Sequence, residues 1–304
     1  TRPGTMEVEL AVEDDLPLHG TIEVNTRQSP DTAKFRLEAG LHYDNLFQSR
    51  HSAGLNYVVA PENPDQVSVV AGFYSLPLSP TRSLSAFIQH SNSNIASAVG
   101  STVVGKGTTL GLRHTWTLPT PPGAGNFFHT LALGVDLKNL QESQQVTGSD
   151  SKDTPLRYWP LVAQYTAARY GDTGEVSGNL SLVTNPDSRS RTVNCLGVQT
   201  EQFACRRALA RPGFSLLRGD LGYSRRHLGW EWQTRFEFQA ASQALVSPEQ
   251  FLAGGMDTVR GYLEGEAAGD TGLRLKGELR TPALVDLGNA PLRAAVFVEA
   301  ARLR

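Results

Sequence analysis

From residue 230 the chain reads Trp-Glu-Trp-Gln-Thr-Arg-Phe-Glu-Phe-Gln, with polar side chains at every second position. Side chains on an extended strand alternate between two faces. This stretch therefore makes a ribbon with Trp230, Trp232, Thr234, Phe236 and Phe238 on one side and Glu231, Gln233, Arg235, Glu237 and Gln239 on the other. The period returns downstream, where Leu273, Leu275 and Leu279 interleave with Arg274, Lys276, Glu278 and Arg280. A period of two specifies strand rather than helix, but it leaves open where the oily face points. A soluble sheet turns that face toward a core, and a membrane barrel turns it toward lipid.

About thirteen such segments follow one another from Leu18 onward. Each is close to the roughly nine to eleven residues that a tilted membrane strand needs. In the second, Ala33, Phe35, Leu37, Ala39, Leu41 and Tyr43 alternate with Lys34, Arg36, Glu38, Gly40, His42 and Asp44. The mean hydropathy is −0.28 and no apolar run approaches the length of a membrane helix. That excludes a helical membrane protein and leaves a barrel open, because barrel strands are only half apolar. The 29 glycines and 17 prolines supply the turns of an all-β chain. With 28 basic and 30 acidic residues the net charge is −2, which gives no electrostatic pull toward nucleic acid.

The connections decide between the two readings. After even segments they are short, at 46–51, 80–82, 119–126, 172–174 and 286–291. After odd segments several are long, at 92–107, 141–155, 185–212 and 243–271. Antiparallel strands send alternate connections to opposite ends, so one end of the sheet carries tight turns and the other long loops. That sorting belongs to an outer-membrane barrel, whereas a soluble sandwich has no reason for it. The predicted fold is an all-β, transmembrane antiparallel β-barrel of the bacterial outer membrane over residues 16–304. Residues 1–15 carry a short alternating run at 6–13 that reads as the last strand of a preceding domain.

Catalytic and metal-binding patterns are absent from the sequence. The run Gly100-Ser-Thr-Val-Val-Gly105-Lys106-Gly107 falls short of a phosphate-binding loop, because Gly107 stands where Ser or Thr would hold magnesium and strands follow instead of a helix. It reads as a flexible external loop. The seven histidines are scattered, and neither a His-Glu-x-x-His pattern nor a Gly-x-Ser-x-Gly elbow occurs. No enzyme activity, metal or cofactor is predicted. Cys195 and Cys205 lie in a turn-rich stretch without a His or third Cys at ligand spacing. They read as a loop disulfide in an oxidising compartment, with two free thiols as the alternative. Trp230 and Trp232 read as lipid-facing interface anchors rather than ligand platforms.

The word Val259-Arg260-Gly261-Tyr262, together with Phe297-Val298-Glu299-Ala300-Ala301 in the thirteenth segment, resembles the Omp85 superfamily of outer-membrane barrels. Further words are similar to the two-partner-secretion transporters, the haemolysin and haemagglutinin secretion and activation proteins. These are Glu249-Gln250-Phe251, Gly254-Gly255, Gly269-Asp270-Thr271-Gly272, Tyr43-Asp44-Asn45-Leu46-Phe47 and Tyr74-Ser75-Leu76-Pro77-Leu78. The likeness runs from about residue 7 to the C-terminus.

This resemblance implies two POTRA domains ahead of a barrel of about sixteen strands. Residues 1–15 would then be the tail of the second POTRA domain, and the last strands of the barrel would lie beyond Arg304. It also implies that the long loop after the eleventh strand folds back into the lumen and sets Arg260 against the thirteenth. There Arg293, Ala295, Phe297, Glu299 and Ala301 share the inward face, so Glu299 and Phe297 are the expected acceptors. A guanidinium in a partly dehydrated lumen needs a planar acceptor, and a carboxylate supplies one. The family pattern is Phe-x-Asp-x-Gly, and this chain has Glu299 for Asp and Ala301 for Gly. The extra methylene still permits a salt bridge, but both changes bear on pairing geometry and on how closely the loop approaches.

The function implied is transport of an unfolded exoprotein, haemolysin- or adhesin-like (TpsA-type), through a polar lumen gated by this loop. Its partners would be that exoprotein and outer-membrane lipid. Arg235, Glu237, Lys276, Glu278 and Arg280 would face the lumen, keep it wet and offer weak, exchangeable contacts. The alternatives are a sibling role in inserting other barrels, or a passive porin or outer-membrane enzyme. The bland reading of Arg260 is a solvated loop arginine that contributes little.

Overall fold

In the computed structural model, residues 16–93, 95–98, 101–144, 152–186, 191–195, 197–286 and 291–304 are described. The expected POTRA tail, residues 1–15, lies outside the described residues. In chain order the strands begin with β1 (Leu18–Asn25), β2 (Arg36–Leu46), β3 (His51–Val59), β4 (Ser68–Ser79) and β5 (Arg82–Ser91). A small hairpin, β6 (Ile95–Ala98) and β7 (Ser101–Val104), precedes β8 (Lys106–Thr117), β9 (Phe127–Gln144), β10 (Lys152–Tyr158), β11 (Leu161–Gly171) and β12 (Gly174–Thr184). A second hairpin, β13 (Thr192–Cys195) and β14 (Val198–Glu201), leads into the single-turn helix α1 (Gln202–Arg206). Then come β15 (Ser215–His227), β16 (Trp230–Ala241), the short pair β17 (Phe251–Ala253) and β18 (Ala267–Gly269), and β19 (Gly272–Arg280). The chain closes with β20 (Val285–Asp286), β21 (Pro291–Leu292) and β22 (Ala295–Leu303).

One antiparallel sheet of 14 strands makes the wall, in the order β1-β2-β3-β4-β5-β8-β9-β11-β12-β15-β16-β19-β22 with β10 added beside β9. Each of the thirteen alternating segments corresponds to one strand on that path, each paired with its sequence neighbours on the wall. β1 and β22 are its edges. The sheet curls far enough for one loop to touch both regions. Asp257 pairs with Arg27 just past β1, and Arg260 of the same loop meets Glu299 of β22.

The oily face is the outer one. Leu41, Ile88, Leu133, Leu221 and Leu275 are exposed on it, and Ile22 and Val298 are 81% and 68% accessible, with no second layer of described residues against them. This excludes the soluble-sandwich reading, in which the same side chains would form a core. Acidic and basic side chains occupy the opposite face, from Arg36 and Glu38 through Asp136, Asp220 and Glu237 to Glu278. The main apolar cluster lies inside, at the long-loop end. Leu140, Leu156, Tyr158 and Leu216 of the wall pack there against Phe203, Phe214, Leu245 and Val246 of the incoming loops.

Two local expectations are corrected. The eighth segment, which apolar alternation would start at Trp159, does not begin there. Pro160 has no backbone N–H, so the ladder breaks there; β11 starts at Leu161, and residues 152–158 instead lengthen the wall beside β9. The connection after β19 is not a short turn at 286–291. It occupies residues 281–294, carries the two-residue pairing of β20 with β21, and delays the last strand to Ala295. The near phosphate-binding run lies in the connection between β5 and β8, where Ser101–Val104 pairs with Ile95–Ala98, and its Lys106 already belongs to β8.

Candidate functional site: the loop held inside the wall

Residues 242–271 leave β16 at the long-loop end, turn inward and return to β19. The β17–β18 pairing zips the loop's two limbs together, which makes its tip a compact unit. Within the tip, Gly255 N–H donates to the Val259 carbonyl and Gly265 N–H to that of Gly254. Gly255 is required by space as well as by its backbone. Its φ is +114°, and a Cβ there would lie 2.1 Å from the Glu264 carboxylate, which itself accepts from Met256 N–H at 3.0 Å. Gly261, with φ +94°, gives the turn just after Arg260.

Arg260 is the tip's principal contact with the wall. Its Nε donates to Glu299 Oε1 at 2.7 Å, and its backbone N–H donates to Glu299 Oε2 at 2.6 Å. One Nη donates to Glu278 Oε2 at 2.8 Å. The guanidinium carbon stands 3.5 Å from the centre of the Phe297 ring, a cation–π contact. Hydrogen bonding to Glu299 holds the guanidinium charged even more firmly than usual. Lys276 Nζ lies 3.6 Å from Glu299, and Arg280 Nε donates to Glu278 at 2.6 Å, so three cations surround two carboxylates. The Glu299 and Glu278 side chains are 3% and 7% exposed. Ion pairs this sequestered are costly to break from one side, at about 3–5 kcal/mol, whereas exposed pairs contribute under about 1. Glu278 lies six positions beyond Gly272, where the loop rejoins the wall, so the contact is roughly 20 Å down the strand.

The expected acceptors Glu299 and Phe297 are thus brought to Arg260, and the longer glutamate closes the pairing. Val259 and Gly261 shape the turn, but Tyr262 stays 61% exposed and is not drawn into the cluster. The five expected lumen residues share the inner face. Lys276, Glu278 and Arg280 are engaged around Arg260, and Glu237 accepts from Arg274 at 2.6 Å. Only Arg235 remains largely open, at 56% side-chain exposure, with Asp220 at 3.4 Å.

A second anchor was not expected. Glu249, at the end of a 3-10 turn (Ser247–Glu249), is 1% exposed. Its Oε1 accepts from Lys138 Nζ at 2.5 Å and from the Tyr158 hydroxyl at 2.8 Å; Arg218 reaches its Oε2 at 3.3 Å and its carbonyl at 2.8 Å. Gln239 joins the Glu249 and Asp270 carbonyls at 3.0 and 2.9 Å, tying both limbs to β16. Burial works against the ionised carboxylate, but Lys138 and Arg218 outweigh it and hold its pKa below the ordinary value. Arg274 adds a third tie, with its Nη on the Leu252 carbonyl at 2.9 Å. From the neighbouring loop, Arg207 pairs with Asp270. Arg207 follows α1, which the Cys195–Cys205 disulfide joins to β13 with Cα atoms 5.7 Å apart. Among the described residues no cluster of His, Cys, Asp and Glu is arranged to hold a metal.

Solved structures share this architecture. CdiB from Escherichia coli superposes with a TM-score of 0.71 at 16% identity, over 95% of this chain and 53% of its own. CdiB from Acinetobacter baumannii gives 0.62 at 16%, over 95% and 50%. BamA from Haemophilus ducreyi gives 0.57 at 16%, over 95% and 58%. The chain therefore spans about half the length of these relatives. No curated protein matches its sequence. The family model of the haemolysin secretion/activation protein ShlB/FhaC/HecB matches residues 4–300. The chain belongs to that family of bacterial outer-membrane β-barrel proteins.

Proposed function

We propose that this chain forms the conduit of an outer-membrane transporter that exports an unfolded exoprotein, and that the loop at residues 242–271 is its gate. The observation that carries the reading is Arg260, on a loop tip folded back along the inner face of the wall, paired there with Glu299 and Glu278. A gate must hold in the resting state and still come away. Hydrogen-bonded ion pairs suit this, because water and a passing chain's polar groups can replace them one at a time. Nothing in the arrangement calls for bond-making chemistry. On the family likeness, residues 1–15 belong to a POTRA domain.

Secretion of the partner exoprotein into the medium, measured for wild type and Arg260→Ala at equal outer-membrane levels, tests the reading. Unchanged secretion by the variant would refute the gate. The likeness to BamA favours a second reading, insertion of other barrels into the membrane. Under that reading, depletion lowers the outer-membrane levels of unrelated barrels and leaves the exoprotein's export intact.

A further inference from the structure

On the outer face of the wall, toward the short-turn end, a groove of about 610 Å³ crosses β11, β12 and β15. Its size falls within the ~300–1,000 Å³ of small-molecule sites. Its floor is made by two small residues directly opposite each other, Ala167 on β11 and Gly178 on β12. The next outward pair, Tyr165 and Leu180, walls one end, and Leu221, the partner of Gly178 on β15, walls the side. Other small outward residues, such as Gly72 and Ala86, stand opposite large ones (Leu55 and Ile88, Tyr74 and Leu112), whereas here two small residues face each other and leave a dent in the oily surface. It is also braced. His129 joins the Tyr165 hydroxyl at 3.0 Å to the Pro119 carbonyl at 3.0 Å, which ties the wall to the connection whose Pro121 forms the rim.

The far end of the groove carries a charge. Arg169 shares the outward parity of Tyr165 and Ala167, is exposed, and makes no hydrogen bond or ion pair among the described residues. Of the nearby carboxylates, Glu175 and Asp220 lie on the opposite face, and Asp172 of the adjoining turn makes no ion pair with Arg169. A guanidinium at the border of an apolar surface lacks an acceptor of its own and is well matched to a phosphate. In an outer-membrane barrel the short turns face the periplasm, so Arg169 lies at headgroup depth in the inner leaflet.

We propose that this groove binds an anionic phospholipid of the inner leaflet, with its headgroup phosphate on Arg169 and an acyl chain laid over Ala167 and Gly178 between Tyr165 and Leu221. The site rests on the outer-membrane placement of the barrel and is independent of the secretion reading.

The test uses the full-length transporter reconstituted in phosphatidylcholine vesicles with a minor fraction of phosphatidylglycerol, then extracted and weighed by native mass spectrometry. Wild type should retain phosphatidylglycerol over phosphatidylcholine by about fivefold, the ratio equivalent to roughly 1 kcal/mol for one interfacial cation. Arg169→Gln should abolish that preference. Ala167→Leu, which fills the floor, should lower retention of both lipids. Arg82→Gln, which removes an exposed arginine near the short-turn end of distant β5, should behave as wild type. Retention unchanged by both groove variants overturns the site, as does an equal loss in Arg82→Gln. So does displacement of the lipid by millimolar inorganic phosphate, which would mark a simple anion site. Heat-modifiable migration confirms folding of each variant, and the two groove variants act on different features, so either carries the test if the other fails to fold.

Discussion

Arg260 binds Glu299 twice, through its side-chain Nε at 2.7 Å on one carboxylate oxygen and through its own backbone N–H at 2.6 Å on the other. The second bond belongs to the loop rather than to the side chain, so the turn around Gly261 and the guanidinium are docked as one piece. A lysine at this position keeps the charge but loses the fork that also spans Glu278.

Arg260→Ala leaves two shielded carboxylates with only Lys276 and Arg280 beside them. The wall does not depend on the loop for its ladder, so insertion into the membrane should be near wild type. Docking of the tip should weaken by about 3–5 kcal/mol. Planar-bilayer recordings should show longer open intervals, and secretion should fall by about tenfold or more, equivalent to at least ~1.4 kcal/mol. Arg260→Lys should be intermediate, and closed-state occupancy identical to wild type in both variants would count against the gate.

Acid should loosen the base of the loop. The Glu249 carboxyl is held below its ordinary value of about 4.5, so its anchoring is fully present above that pH and is lost as pH falls through the lower value of the folded state. Proteolysis of the loop, followed in steps from neutral pH downward, should show a protected loop until the acid range and then cleavage. Glu249→Gln should be cleaved already at neutral pH and lack the acid step.

Gly255→Ala places a methyl 2.1 Å from the Glu264 carboxylate at a backbone φ of +114°. The tip must rearrange, at a cost of about 1–3 kcal/mol. Secretion should drop as in Arg260→Ala while the folded barrel survives heat-modifiable electrophoresis. Normal export with a normally protected loop would show that the tip tolerates the crowding.

The two faces of β19 make opposite predictions for adjacent residues. Leu275→Arg puts a charge on the outer face and should destabilise the folded barrel in lipid by about 2–4 kcal/mol if it lies near mid-bilayer. Lys276→Gln, one position on, faces inward and should cost the barrel far less, about 1 kcal/mol or less, because Glu299 keeps both bonds from Arg260. Urea titration of both variants in vesicles reads the difference directly.

The wall was legible because alternation is a local property. Trp230 through Gln239 announce a strand without reference to anything else, and the uneven connections announce which way it faces. Arg260 and Glu299 were legible through their words, though not the fact that a glutamate would complete the pair. Glu278 was seen as inward-facing but not as a second acceptor, since periodicity assigns a face and says nothing of what lies under a loop tip. The Glu249 anchor was hidden for a related reason. Its partners come from four separate strands, Lys138 being 111 positions away, and no short-range pattern marks a carboxylate that several distant strands converge upon. The proline break at Pro160 was present in the sequence, yet the apolar alternation around it was the louder signal.

The bridge between Cys195 and Cys205 ties the stretch from which Arg207 reaches Asp270, where the loop at 242–271 returns to the wall. On the proposed gating role, thiol chemistry at the long-loop end therefore acts on the hinge and leaves the bolt alone. A reductant too polar to cross the membrane should let the root flex while Arg260 stays seated, so closure would become leaky rather than fail.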